Sequence, residues 1–245
     1  MTVVLARAKL TLSLRITGVR ADGYHLLDSE MVTLDLADRL TFEAGDGLVV
    51  SGLGASGGLG GAGGAVPGGP ENLVRRALVA AGRTALVRLE KHIPTGGGLG
   101  GGSADAAAVL RWAGVDDAGV AVGLGADVPF CLLGGGRARV RGVGEIVDTR
   151  PFEEVAGRAY TLLVPPLHVS TVDVYREWDR MGGPVGDGGN DLEPAALSVE
   201  PALAEWRDRL GDLTGETPRL AGSGATWFVP GAFEGPGLTV VRVQR

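Results

Sequence analysis

A single cysteine among 245 residues leaves no partner for a disulfide. Cys131 lies in the apolar run Val128-Pro129-Phe130-Cys131-Leu132-Leu133, where a thiol packs as a small hydrophobe rather than acting as a nucleophile. Positive charge is also scarce: 23 Lys and Arg stand against 29 Asp and Glu, a formal net charge of −6, and there is no long basic run. Binding a phosphate backbone needs clustered Lys and Arg, so no nucleic acid partner is expected. No stretch approaches the roughly 20 apolar residues of a membrane span. The opening residues Met1-Thr2-Val3-Val4-Leu5-Ala6-Arg7 hold no apolar segment of signal-peptide length. The expectation is a cytoplasmic protein without a membrane partner. With 21% charged and 44% hydrophobic residues, the chain can bury a working core as one large domain or two small ones.

Glycine is what the chain has in excess. Gly96 to Ser103 read Gly-Gly-Gly-Leu-Gly-Gly-Gly-Ser, six glycines in seven positions, and lead straight into Ala104-Asp105-Ala106-Ala107-Ala108-Val109-Leu110. Without Cβ atoms such a loop can bring its N–H groups close to a ligand, and a helix starting at a Ser103 cap adds its positive dipole end. A tight turn needs only one or two glycines. Six leave most of them without a structural purpose, so a phosphate cradle is expected. No lysine follows the last glycine, which separates the loop from the Gly-Lys-Ser/Thr ending of a P-loop. The preceding Ala85-Leu86-Val87-Arg88-Leu89-Glu90-Lys91 alternates like a half-exposed strand, unlike the buried parallel strand that opens a dinucleotide fingerprint.

Leu10, Leu12, Leu14 and Ile16 share one face of a strand, and Lys9, Thr11, Ser13 and Arg15 form its polar face. Arg20-Ala21-Asp22-Gly23-Tyr24-His25 reads as a turn, and Ser29 to Leu36 as a second strand that returns through Ala37-Asp38 to Leu40-Thr41-Phe42. Between Gly52 and Gly69 ten of eighteen residues are glycine, the composition of a flexible surface loop rather than of a second phosphate site, since no capped helix follows directly. Asn72 can cap a helix whose Leu73, Ala77, Leu78 and Ala81 share a face. The helix after the glycine loop closes near Gly114, and a compressed connection leads to Leu124-Gly125-Ala126-Asp127-Val128-Pro129-Phe130. The pattern restarts around Glu145 to Arg150. A buried strand over Tyr160 to Val164 stops at Pro165-Pro166, helices follow over Thr171 to Trp178 and Pro201 to Leu210, and a late strand covers Leu238 to Val243. A second glycine turn, Ala221-Gly222-Ser223-Gly224-Ala225, precedes Trp227-Phe228-Val229. The second half reads as α+β, and two glycine clusters in two halves, 1–148 and 149–245, point to a cleft between lobes.

Taken together, Ala8-Lys9-Leu10, the segment from Pro94 through Gly96 to Ser103, and Ala221 to Ala225 resemble, in order and spacing, the three motifs of the GHMP small-molecule kinases. Arg20 to His25, Leu124 to Phe130 and Gly142-Val143-Gly144-Glu145 are similar to one branch of that superfamily in particular. That branch phosphorylates a hydroxyl of a cytidine diphosphate-linked polyol on the methylerythritol phosphate route to isoprenoids. The similarity runs over nearly the whole chain, with apparent losses near Gly114 to Gly123 and at the C-terminal end. It implies a two-lobe α+β fold, with an N-terminal lobe like the second domain of ribosomal protein S5 and a ferredoxin-like C-terminal lobe. It also implies ATP and Mg²⁺ as cofactors, a small-molecule substrate, and a monomer or homodimer.

By this resemblance Asp127 is the catalytic base, and Lys9 holds it ionised while drawing charge off the substrate hydroxyl. On the residues alone, Asp127 also reads as a cap or turn residue and Lys9 as a solvated strand lysine. Thr11 stands where the family usually carries Asn; its hydroxyl keeps a donor and an acceptor but loses the amide's reach. Tyr24 and His25 would take the cytosine, the ring stacked on Tyr24 and its polar edge hydrogen-bonded by His25, with Tyr175 closing the other side. Tyr175 at its helical spacing equally suits a core. Pro94, Gly96, Gly97, Gly98, Leu99, Gly100, Gly101, Gly102, Ser103 and Ala104 would hold ATP, the Ser103 hydroxyl near the β- or γ-phosphate or the metal. Lys91 would pair with a phosphate, and Asn72 would cap the helix beside the adenine. Asp105 reads as a helix-start residue, and no metal ligand is assigned. Gly222, Ser223 and Gly224 would meet the diphosphate of the second substrate, or form no more than a turn. Two rivals stand beside this reading. A GHMP kinase acting on homoserine, mevalonate or a sugar has no use for a cytosine clamp. A catalytically inactive relative that binds a metabolite as a regulator has no need of both Lys9 and Asp127.

Overall fold

Alternating apolar residues along the first forty positions build one long hairpin. β1 (Thr2–Val19) runs antiparallel to β2 (His25–Glu43), and Gly23, at φ +87°, makes the turn between them. The computed structural model describes residues 1–52 and 68–245. The surface loop expected between Gly52 and Gly69 therefore lies, except at its ends, outside the described residues. β3 (Gly47–Gly52), α1 (Leu73–Ala80), β4 (Leu86–Lys91), α2 (Gly101–Ala113), α3 (Ala118–Leu124), α4 (Val128–Leu132), β5 (Arg137–Gly142) and β6 (Ile146–Arg150) complete the first half. Their six-stranded sheet has the order β3-β4-β2-β5-β6, with β1 also paired to β2, and only the β3–β4 pair is parallel.

Helices α1, α2 and α4 cover this sheet, burying Leu40, Phe42, Val87 and Leu89 against Val74, Leu78, Val109 and Phe130. Ala104 to Leu110 of α2 are buried without exception; all but Asp105 are apolar, as a helix segment enclosed on every side requires. Phe42 stacks on Trp112 with ring centroids 4.4 Å apart.

In the second half, β7 (Ala159–Leu163), α5 (Thr171–Arg180), α6 (Glu193–Val199), α7 (Leu203–Thr214), β8 (Arg219–Leu220), β9 (Trp227–Pro230) and β10 (Leu238–Arg242) follow. Their antiparallel sheet has the order β10-β7-β9-β8. Its core gathers Val174, Leu203, Leu210, Trp227 and Val229. A middle cluster of Ala8, Leu10, Val32, Leu34, Leu99, Leu162, Phe228 and Val241 joins the two sheets beneath the glycine loop. Among the described residues no helix is long and apolar enough to cross a membrane.

Three expectations are corrected. β2 does not turn back at Ala37-Asp38. The Asp38 carboxylate is buried and accepts the N–H groups of His92 and Ile93, so the strand runs straight through. The compressed connection after Gly114 contains α3, whose first N–H groups, on Gly119 and Val120, are capped by Asp117 Oδ1 at 2.7 and 3.0 Å. A division at 148 falls inside β6, which runs through Arg150. Helix α6 is an element that the sequence reading missed, although Glu193 and Pro194 in its first turn are helix-start signals.

Trp227 is fully buried and its indole Nε1 makes no hydrogen bond. Trp227→Ala should destabilise the fold by about 3–5 kcal/mol. Trp227→Phe should cost less than half of that, because it fills most of the space and removes an unpaired polar group. Urea unfolding of the two variants checks the ordering.

Candidate active site

The glycine loop is built against the protein on one side and opens on the other. Helix α2 begins at Gly101 behind a left-handed Gly100 (φ +69°) and has no side-chain cap. Ser103 is therefore the third residue of the helix and not its cap. A Cβ on Gly98 would stand 2.3 Å from Ala221 O, and one on Gly100 2.8 Å from Lys9 Cγ. The expectation that most of these glycines lack a structural purpose is overturned: they let the loop lie between β1 and the 221–226 turn. Lys9 N donates to Leu99 O at 3.0 Å, and Thr226 N to Gly97 O at 3.3 Å. The open side forms a cavity of about 250 Å³ lined by Asn72, Lys91, Pro94, Asp105 and the loop from Gly96 to Gly102. Asn72 Oδ1 caps α1 by accepting Val74 N at 2.8 Å. Ala104 is buried in α2 and outside that lining.

On the other side of the loop lies a cleft of about 400 Å³, whose walls include Lys9, Thr11, Ser103, Asp127, Tyr175, Gly222 and Ser223. Lys9 and Thr11 stand on the face of β1 expected to be solvated, and both are buried. A buried ammonium must be paired. Lys9 Nζ donates to Gly98 O at 2.9 Å and Thr11 Oγ1 at 3.1 Å, and lies 3.2 Å from Asp127 Oδ2. Asp127 precedes α4 but makes no side-chain cap bond. Its side chain is 30% exposed, so the carboxylate keeps an open face toward the cleft. Gly222, at φ +63°, would place a Cβ 3.6 Å from Lys9 Nζ. Ser223 Oγ is 2.8 Å from Thr171 Oγ1. Gly224 stands behind the wall against Leu220 and Val169.

Lys91 does not face outward to a phosphate. Its ammonium is buried and donates to Asp38 and, at 2.8 Å, to Asp105 Oδ2. Burial pulls the ammonium down, but the two carboxylates outweigh it and hold Lys91 above its ordinary value. Burial likewise pushes Asp105 up to about 7, against the pull of Lys91. Asp105 is thus a buried partner behind the loop and not an exposed helix-start residue. Its Oδ1 has no hydrogen-bond partner.

Tyr24 is 61% exposed, with the Arg20 guanidinium 5.4 Å above its ring. His25 turns inward, 4.8 Å from the Tyr175 ring and 5.4 Å from that of Trp178, with Nε2 2.8 Å from Asp179 Oδ1. Among the described residues no ring contact joins Tyr24 to Tyr175. Tyr175 lines the cleft; burial, with the Asp127 charge adding to it, pushes its phenol above the ordinary range. Cys131 is buried and its thiol is pushed up to about 12 by that burial, as its apolar surroundings predict.

The sequence reading missed Asp38, Thr171, Trp178, Asp179 and His168, whose Nδ1 would meet a Cβ on Gly96 at 3.5 Å. None of these stands out in the sequence: Asp38 is one of five carboxylates in β2, with Asp28, Glu30, Asp35 and Glu43. Among the described residues no cluster of three or more His, Cys, Asp or Glu is gathered for a metal. Mg²⁺ commonly binds through one or two carboxylates plus substrate phosphates and keeps several waters. The hydroxyl of Ser103, on the wall of the cleft beside the glycine loop, can join the phosphates of a bound nucleotide in holding such an ion.

Residues 72–135 match the family described as GHMP kinases N terminal domain. A 4-diphosphocytidyl-2-C-methyl-D-erythritol kinase of Cereibacter sphaeroides is 38% identical over 275 aligned residues, covering 100% of this chain and 95% of its own. The crystal structure of a 4-(cytidine 5'-diphospho)-2C-methyl-D-erythritol kinase, 36% identical, superposes with a TM-score of 0.70 over 93% of this chain and 89% of that one. A homoserine kinase from Cytophaga hutchinsonii, 19% identical, shares the fold with a TM-score of 0.56, over 97% of this chain and 95% of its own.

Removing the ammonium between Asp38 and Asp105 leaves two buried carboxylates unpaired. Lys91→Met should destabilise the protein by about 3–5 kcal/mol, a loss that Asp105→Asn in the same chain should partly restore. Thermal unfolding of the single and double variants checks both.

Proposed function

Because the chain belongs to the 4-diphosphocytidyl-2-C-methyl-D-erythritol kinases of the GHMP superfamily, and is therefore a small-molecule phosphotransferase, we propose that it transfers the γ-phosphoryl group of ATP to the 2-hydroxyl of 4-diphosphocytidyl-2-C-methyl-D-erythritol. The observation that carries the reading is the Lys9–Asp127 pair, 3.2 Å apart, on the wall of a cleft that the glycine loop also lines.

Phosphoryl transfer asks for in-line placement, neutralised charge and an acceptor for the hydroxyl proton. The triphosphate would follow Gly96 to Ser103, where the first N–H groups of α2 lack intrahelical partners and favour an anion. The nucleoside would lie toward Asn72 in the smaller cavity. In the larger cleft the open carboxylate of Asp127 takes the proton of the acceptor hydroxyl as its oxygen bonds to the γ-phosphorus. The bond from that phosphorus to the β–γ bridging oxygen breaks, and ADP leaves. Lys9 balances the charge of Asp127, and the Thr11 hydroxyl holds the ammonium in place. Mg²⁺, carried by the phosphates with the Ser103 hydroxyl beside it, would neutralise charge on the transferring group. Lys91 acts from behind, as a support of the loop.

His25, Tyr175 and Trp178 form the aromatic wall suited to a cytosine. With Nε2 held 2.8 Å from Asp179 Oδ1, the His25 ring is set to hydrogen-bond the polar edge of the base. Tyr24 would cover the base from the open side, and Gly222 and Ser223 would meet the diphosphate. These groups favour a cytidyl acceptor over homoserine, a sugar or mevalonate. All of them come from one chain, so a monomer carries the whole site, whether or not it pairs. We place the reaction in the cytoplasm, where ATP is supplied, and divide the lobes in the segment after β6.

Purified protein with ATP and Mg²⁺ should release ADP when given the cytidyl polyol and not when given homoserine; turnover with homoserine alone overturns the reading. Asp127→Asn should lower kcat by about 100-fold or more. Tyr175→Ala, which removes a stacking face worth about 1–3 kcal/mol, should act mainly by raising KM for the cytidyl substrate.

A further inference from the structure

We infer that Asn190 is a positioning residue for the reaction, its amide holding the Gly222–Ser223 wall of the cleft at a set distance from Lys9. The inference rests on the functional reading above. Asn190 is 3% exposed, and every hydrogen-bonding direction of its side chain that faces a neighbour is used. Nδ2 donates to Leu220 O at 2.9 Å and to Gly222 O at 2.6 Å, and Oδ1 accepts Leu192 N at 3.0 Å. Two carbonyl oxygens and one N–H converge there, which only an amide answers.

The residues beside Asn190 grip β1. Leu14 N donates to Gly189 O, and Asp191 N to Leu14 O, each at 2.9 Å. Asp191 Oδ2 accepts Ile16 N at 2.9 Å, and its Oδ1 takes the Arg15 guanidinium. Gly186 lies flush beneath, since a Cβ on it would stand 1.8 Å from Asn190 O. One end of this clasp is therefore fixed to the strand that carries Lys9 and Thr11, and the other to the second glycine turn. The cleft is gauged between those two ends. Gly222 and Ser223, the wall that Asn190 holds, line the larger cleft and not the cavity assigned to the nucleoside, so the effect should fall on the acceptor.

Asn190→Ser keeps one donor, and Asn190→Asp turns an acceptor toward two carbonyls. In both, kcat/KM for the cytidyl polyol should fall about 10- to 100-fold, the scale of an ångström of misplacement. The dissociation constant for ATP without acceptor should stay within about threefold. Leu210→Ala, which opens a cavity in the same lobe's core, should lower the Tm at least as much and leave kcat/KM unchanged. Folded Asn190 variants with wild-type kinetics overturn the inference. So does an equal kinetic loss in Leu210→Ala, which would make the effect one of stability, and so does failure of both Asn190 variants to fold, which would assign the residue to folding. A wild-type enzyme that ignores the cytidyl polyol and turns over homoserine overturns the functional reading instead, and the Asn190 comparison is then made with homoserine.

Discussion

One ammonium group organises this molecule. Lys9 Nζ is buried on β1, and the free energy of burying a charge is recovered only when oxygens surround it. It draws them from three separate places: its own strand, through Thr11; the first glycine loop, through Gly98 O; and the segment before α4, through Asp127. The second glycine turn lies beside it, where a Cβ on Gly222 would come within 3.6 Å of the ammonium. The demand for partners therefore brings together the segments whose backbone and carboxylate groups a phosphoryl donor and an alcohol both need. The group that neutralises the base also fixes the loops around it.

The order of strands and helices was largely legible in the letters. Period-two alternation marked β1 and β4, Asn72 marked the start of α1, and the alanine run marked α2. What stayed hidden was set by contacts distant in sequence. Lys9 and Thr11 look solvated on their own strand and are buried because Gly98 to Gly100 and Gly222 lie over them. Lys91 looks free beside a phosphate loop, yet Asp38, 53 positions earlier, takes its charge. Ala37-Asp38 resembles a turn because a carboxylate in a strand is ordinarily a breaker, and the two N–H groups that satisfy it belong to His92 and Ile93, just past the end of β4. The candidate site divides the same way. Asp127 and the first loop stand out as motifs, while Asp179 and Thr171 are ordinary helix residues until the fold sets them beside His25 and Ser223.

The glycines of the two clusters serve packing as much as any ligand. Gly97, Gly98 and Gly100 are each hemmed in by Thr226, Ala221 or Lys9 on one side, while the other side faces open space. A loop pressed flat against its own protein cannot relax when a charged ligand arrives. The dipoles it presents are already oriented, which is the condition under which such groups stabilise a transition state at little reorganisation cost.

The burial of Ala104 to Leu110, the middle of α2, has a mechanical corollary. A stretch that is mostly alanine and enclosed at every residue has little clearance to rotate. Slipping it by a single residue would carry Asp105 away from Lys91 and drive Val109 into a slot shaped for alanine. The end of the helix that faces the glycine loop is therefore held as a fixed stop by its own packing.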